Sequence, residues 1–226
     1  MKCTSFIVAI AAMAILSVSS LQADVVTSDF VTVADGRAQF SGALGFELFT
    51  GEEDIRTSRS GNSNISDGLF EFDLSSLPSD AVVTNAEIIF RTAAAITNTN
   101  STAPVEFFGF TGDGVIDLTD EAAAATLVAS IDFTTAIGND TEVSASLANL
   151  AIIDSVLSDA NTDDFFALRS ETINFVTFSV DSLESTDPNA RAATLRLTYE
   201  TSAVPEPSSL ALLGMVAFGG LVRRRR

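Results

Sequence analysis

Apolar and polar residues alternate with a period of two over much of the middle of the chain. Within AVVTNAEIIFRT, Val82, Thr84, Ala86, Ile88 and Phe90 fall on one face, and Asn85, Glu87 and Arg91 on the other. LFEFDL sets Phe70, Phe72 and Leu74 opposite Glu71 and Asp73. ATLRLTYE turns Leu195, Leu197 and Tyr199 inward and Thr194, Arg196, Thr198 and Glu200 outward. Successive side chains of a strand point to opposite faces, so each segment predicts a strand with one buried face. Further strands are expected at VTVADGRAQF, GFELF, PVEFFGF, VASIDFTT, DDFFALRS and NFVTFSV, many of them separated by turn clusters such as SGNSNISDG, TNTNST, IGND and STDPN.

Two stretches break the alternation. LTDEAAAATLVA and LANLAIIDSVL have the composition of short helices, the first with Thr119 or Asp120 as N-cap and acids in its first turn. The whole pattern predicts an all-β, jelly-roll-like antiparallel β-sandwich with one or two short helices. Neither an internal repeat nor a second domain is visible in the sequence.

Both ends depart from this pattern. Met1 and Lys2 precede an apolar stretch over 6–16, followed by small and polar residues and a cleavage point after Leu21-Gln22-Ala23. That layout predicts a secretory signal peptide over 1–23, with an apolar helix too short to span a bilayer. The other end reads AVPEPSSLALLGMVAFGGLVRRRR. Its apolar run, 210–222, would be about 20 Å long as a helix, against roughly 30 Å of hydrocarbon. Arg223, Arg224, Arg225 and Arg226 would stay on the cytoplasmic side, placing the domain outside. Pro205 and Pro207 favour an extended segment that a protease can grip. The β-sandwich domain is thus expected over 24–203, between a signal helix and a hydrophobic helix at 204–226.

Charge divides the chain in the same way. Between Asp24 and Glu200 there are 7 arginines, no lysine and 29 acidic residues, a net charge of −22. Such a field repels nucleic acid and bare anionic polymers unless a cation intervenes. The single cysteine, Cys3, lies in the signal peptide, so the domain has neither a disulfide framework nor a thiol nucleophile. Histidine is absent, which removes the Ser-His-Asp triad, His-ligated metals and the usual general base near neutrality. Carboxylate catalysis stays open, but spacing alone picks no pair from 29 acids.

Val204-Pro205-Glu206-Pro207, the apolar run and the arginines together resemble the PEP-CTERM sorting signal of Gram-negative bacteria. The resemblance implies recognition by an exosortase-type membrane peptidase that cuts near Pro-Glu-Pro. It also implies transient residence in the inner membrane and a host that makes extracellular polysaccharide or biofilm. A second resemblance, carried by GLFEFDLSSLPSDAVVTNAEIIFRT (68–92) and FSVDSLESTDPNARAATLRLTYE (178–200), is to DNRLRE-type domains. Those are extracellular β-sandwiches akin to carbohydrate-binding modules, so the resemblance bears on fold more than on function.

Within the domain, GFTGDGVIDLTDEA spaces Asp113, Gly114, Asp117 and Asp120 like the later half of a calcium loop. The first and third places would fall on Gly109 and Thr111, so a full loop of that type is absent. Two readings stay open: calcium held by Asp113, Asp117 and Asp120 in another geometry, or a Gly-rich turn before an acid-capped helix. Glu52-Glu53-Asp54, ahead of Arg56 and Arg59, reads as a solvated loop with local ion pairs. No aromatic platform for sugars is visible: there is no Trp, Tyr199 points inward, and Phe108 and Phe110 read as core. The Asn-x-Ser/Thr sequences at Asn64, Asn100 and Asn139 read as loop composition.

The expected function is that of a non-enzymatic surface or matrix protein, associated with extracellular polysaccharide through divalent cations, calcium among them. A direct carbohydrate-binding module and a carboxylate-based glycan-active enzyme are the rivals.

Overall fold

The computed structural model describes residues 23–42, 44–61, 64–96, 104–132, 136–158, 164–172 and 176–202. The expected signal helix, the sorting segment 204–226 and Asn100 lie outside the described residues. The described strands are β1 (Asp24–Ser41), β2 (Phe46–Phe49), β3 (Asp54–Arg59), β4 (Asn64–Asp73), β5 (Val82–Arg91), β6 (Pro104–Thr111), β7 (Thr126–Asp132), β8 (Glu142–Ser146), β9 (Phe165–Thr172), β10 (Thr177–Asp181) and β11 (Thr194–Thr201). A one-turn helix α1 (Leu118–Glu121) precedes β7, and α2 (Ala151–Ser158) precedes β9. The fold is an all-β, jelly-roll-like antiparallel sandwich, and Val26–Tyr199 form one compact unit.

Neighbouring strands follow the order β7-β6-β9-β4-β1-β11-β5-β8, with β2 on β1 and the pair β3–β10 joined to β4 through β3. Antiparallel registers pair β4 with β1 and β9, β6 with β9 and β7, and β5 with β8. Strands distant in sequence are therefore neighbours, as long crossing connections require. One hydrogen bond ties the ends of this order, and a second ties β5 to the β3–β10 pair. Ala148 N–H, just past β8, donates to Val128 O on β7 at 2.7 Å. Ala93 N–H, just past β5, donates to Ser179 O on β10 at 3.0 Å. Edges that would otherwise offer rows of free backbone groups are thereby partly closed.

Phe90 on β5 is the centre of the interior. Its ring lies 5.2 Å from Phe70 on β4, 5.2 Å from Phe107 on β6 and 5.6 Å from Phe178 on β10. Ile88 and Ala86 continue the same face inward, and Leu195, Leu197 and Tyr199 of β11 join them as the alternation requires. Tyr199 keeps a polar partner, its hydroxyl lying 3.3 Å from Ser28 Oγ.

Several details differ from the sequence pattern, each for a physical reason. On β5 the buried face begins at Val83, and Val82 is 61% exposed; the alternation slips before Ala86 so that Ala86, Ile88 and Phe90 still face inward. On β4 both faces are covered, with Leu69 and Glu71 buried as completely as Phe70 and Phe72. Leu69 packs with Ala38 and Ile116, flanked by Phe46 and Leu48 of β2. On the opposite, inward face Gly68 leaves room for its neighbours: a Cβ there would meet Ser170 Oγ at 2.6 Å and Ile55 at 2.9 Å. The expected helix over 118–129 is a single turn, and β7 begins already at Thr126. Glu142–Ser146, which alternates over only five residues, and the polar Asp54–Arg59 are strands not among those expected.

Because Phe90 touches three rings, Phe90→Ala should lower stability by about 3–5 kcal/mol. Val82→Ala, at an exposed position, should change it by no more than about 0.5 kcal/mol. Urea unfolding of both variants, followed by far-UV circular dichroism, checks the contrast.

Candidate functional site

The segment 112–123 lies against the outer face of β4 and β9. Gly112 N–H donates to Phe165 O at 2.9 Å, and Asp113 N–H donates to Glu71 Oε1 at 3.2 Å. Gly114 makes the turn with a φ of +86°, and a Cβ there would meet the Phe165 ring at 2.9 Å. The helix that follows is capped by Asp117, two residues ahead of Thr119 and three ahead of Asp120, where the sequence placed the cap. Asp117 Oδ1 accepts from Thr119 N–H at 2.6 Å, and Asp117 N–H donates to Asp120 Oδ2 at 2.7 Å, forming a reciprocal capping box. Asp113 Oδ1 accepts from Val115 N–H at 3.0 Å. Asp113, Asp117 and Asp120 are thus each engaged by nearby backbone. Among the described residues, no group of three or more His, Cys, Asp or Glu is arranged to hold a metal ion.

Arg169 of β9 ends the helix. Its Nη1 donates to the carbonyls of Asp120 (3.1 Å), Glu121 (2.6 Å) and Ala123 (3.3 Å), and its Nε donates to Glu171 Oε1 at 2.7 Å. The guanidinium sits 5.9 Å from the Phe108 ring, which explains why Phe108 is only half-buried while Phe107 and Phe110 are core. Around this arginine lies a buried acid cluster that no sequence pattern announces. Asp67 and Glu71 are buried, Glu121 is half-buried, and one oxygen each of Glu71 and Glu121 (Oε2 in both) is enclosed without a hydrogen-bond partner. Burial pushes the Asp67 carboxyl up to about 8, helped by Glu121 and Glu171. Burial likewise raises Glu71 to about 7 against the Asp113 N–H, and Glu121 to about 7 against Arg169. Glu71 reads in sequence as a solvated residue because half of its strand's alternation is polar. The glycine that accompanies this burial is Gly112, where a Cβ would run into the Glu71 carboxylate.

The Glu52-Glu53-Asp54 patch is less local than its spacing suggests. Glu52 pairs with Arg37 at 3.4 Å, Glu53 accepts from Thr186 Oγ1 at 2.9 Å, and Asp54 begins a strand and takes the hydroxyl of Ser179. Arg56 approaches Asp54 only to 3.9 Å. Elsewhere, a cleft of about 110 Å³ opens on the outer face of β1, β11, β5 and β8. Asp29, Arg91, Glu142, Arg191, Thr194 and Arg196 contribute to its walls. Asp29 grips Arg196 with both oxygens, at 2.7 and 3.0 Å, which holds the Asp29 carboxyl below its ordinary range. Arg91 faces Asp140 at 3.3 Å and Asp181 at 3.8 Å.

Asp67, Glu71 and Glu121 bind their protons more tightly in the fold than in the open chain. Their contribution to stability is therefore complete below their unfolded pKa values near 4 and is lost as pH rises through about 7 to 8. Urea midpoints taken from pH 5 to pH 9 should fall across that window. Glu71→Gln should flatten the fall and unfold at a higher urea concentration than the parent at pH 9.

Three comparisons with known proteins bear on the chain. No curated protein matches it significantly. Among solved structures, one match is a Bacteroides thetaiotaomicron protein assigned only provisionally as a glycoside hydrolase. It is 17% identical, with a TM-score of 0.22, over 74% of this chain and 55% of that one. The chain spans about half the length of that protein, and a TM-score so low carries no statement about fold or activity. Among the described residues no helix is long and apolar enough to cross a membrane. Residues 203–226 match the PEP-CTERM protein-sorting motif, which includes Val204, Pro205, Glu206, Pro207 and the four arginines. Residues 203–226 of the chain thus carry the PEP-CTERM protein-sorting motif, which supports an exported protein sorted by an exosortase-type membrane peptidase.

Proposed function

We propose that the sorted domain is a non-enzymatic protein of the cell surface or extracellular matrix that associates with extracellular polysaccharide through bridging divalent cations. The observation that carries this reading is charge: 7 arginines against 29 acidic residues in the domain, on a chain addressed for export. Most of the acids are exposed or half-buried, among them Glu47, Glu53, Asp80, Asp113, Asp132, Asp154 and Asp187. A surface of this kind attracts divalent cations, and calcium accepts oxygen ligands from two partners at once. The ion is then shared between surface carboxylates and the polymer, and no closed protein cage is needed. The inner membrane is a stage in delivery, followed by the envelope surface or the medium.

Intact mass of the protein recovered from its host, with cells and medium separated, tests the delivery. The expected C-terminus lies near Pro205 to Pro207, in the envelope or medium; an uncut tail in the inner membrane would overturn the matrix reading. Co-sedimentation with the host's polysaccharide tests the association. Binding should appear with calcium and fall at least about tenfold with chelator, since screened surface charge contributes little without the bridging ion.

A further inference from the structure

The two outer faces of the sandwich differ. On the β4–β9 side, β2, Ile116 and the 112–121 segment cover Leu69 and Glu71. On the β5–β11 side, inward residues are buried and their outward neighbours remain accessible, including Glu87, Ile89, Arg91, Thr194, Arg196 and Thr198. The register continues this accessible face onto β8, where Arg91 stands opposite Glu142 and Ile89 opposite Ser144. The 110 Å³ cleft belongs to this face.

Its charges are unequally occupied. Arg196 is neutralised by Asp29 and approached by Glu87 at 3.9 Å, and Arg91 by Asp140 and Asp181. Arg191 is different. Buried Asp181 fixes its backbone, with Oδ2 accepting the Arg191 N–H at 3.0 Å, but its exposed side chain has no ion-pair or hydrogen-bond partner among the described residues. Arg91 Nε, enclosed beside it, also has no hydrogen-bond acceptor. Glu142, on the opposite wall, is exposed; its charge acts on Arg196, but its carboxylate makes no salt bridge or hydrogen bond among the described residues. The cleft therefore presents a guanidinium and a carboxylate free of side-chain hydrogen bonds among the described residues, with Thr194 of β11 also on its wall.

Five carboxylates (Asp29, Glu87, Asp140, Glu142 and Asp181) surround three arginines here, so a bare anion is repelled. A neutral ligand rich in vicinal hydroxyls fits both groups. Each hydroxyl donates to a carboxylate or accepts from a guanidinium, and planar side chains of either sign engage two at once. The volume admits one ring of a longer ligand, well below the several hundred Å³ of enclosed small-molecule pockets. We propose that this cleft binds a single ring of a neutral polysaccharide directly, through Arg191 and Glu142, with no bridging ion. The proposal rests on the reading that the domain meets extracellular polysaccharide, and assigns it a second, ion-independent contact.

Affinity electrophoresis of the protein recovered from its host tests this, in gels carrying soluble β-glucan, xylan or galactomannan with chelator present. At least one gel should retard the parent protein, and Arg191→Ala or Glu142→Gln should weaken that retardation about tenfold or more, the loss of one charged hydrogen bond. Unchanged urea midpoints would show that the exposed substitutions leave the fold intact. Absence of retardation in every gel overturns the proposal, as does retardation that both variants keep. Retardation that appears only with calcium also overturns it, and leaves the cation-bridged association standing. Chelator-resistant retardation alongside failed calcium-dependent co-sedimentation would do the reverse.

Discussion

The contact of Phe90 with Phe70, Phe107 and Phe178 is the constraint from which the rest of the domain follows. The domain contains no cysteine, so no covalent link holds its two layers together. Stacked and edge-on ring pairs contribute about 0.5–1.5 kcal/mol each beyond the area they bury. They also demand position. For Phe90 to reach three other strands, β5 must hold Ala86, Ile88 and Phe90 inward, and the chain accommodates this by slipping out of alternation after Val83. The same requirement turns Ile89 and Arg91 outward, where they help form the cleft. Core packing thereby sets which groups the open face presents.

The covered face obeys a different balance. Roofing β4 buries Leu69 favourably, but it carries Asp67 and Glu71 out of water as well. An ionised carboxylate in that setting is costly unless paired, and the nearest cation, Arg169, is already directed at three carbonyls and Glu171. Retaining a proton is the cheaper solution, which is why Asp67 and Glu71 titrate near neutrality. Gly112 lets the roof come close enough to do this: a Cβ there would run into the Glu71 carboxylate. The segment 112–123 therefore trades solvation of acids for apolar closure, and the balance moves with pH.

Legibility in the sequence followed the chemistry of each strand. LFEFDL, EIIFRT and ATLRLTYE have apolar residues at every second place, and their inward faces were readable down to Phe72, Phe90 and Tyr199. Glu142–Ser146 alternates, but over only five residues with one large apolar side chain, and Asp54–Arg59 offers only Ile55 as a large apolar residue, so both signals are weak. Asp117 as N-cap could have been found from the Asp-x-x-Asp spacing to Asp120, a reciprocal cap that Thr119 cannot make. The acid cluster was beyond reach for another reason. Asp67 and Glu71 become neighbours of Glu121 and Arg169 only when β4 and β9 pair, and no local pattern encodes that pairing. The sorting motif is the opposite case, because its parts are contiguous and their meaning lies in their order.

Charge places two ways of meeting a polymer on different surfaces. Five of the seven arginines of the domain are engaged in ion pairs, so little positive charge is left to offset the acids at long range. An anionic polymer approaching from solution meets repulsion that extends over a Debye length, about 8 Å at physiological salt, and needs a divalent ion to cross it. A neutral polymer feels no such barrier and responds only to groups it touches. Contacts of that second kind require fixed, unspent hydrogen-bonding side chains at a depression, and Arg191, held by its backbone to Asp181, meets that requirement. On the roofed face, Glu71 is enclosed beneath the 112–123 segment and takes the Asp113 N–H. Ion bridging would draw on any exposed acidic stretch, whereas the direct contact proposed above depends on the β1–β11–β5–β8 face.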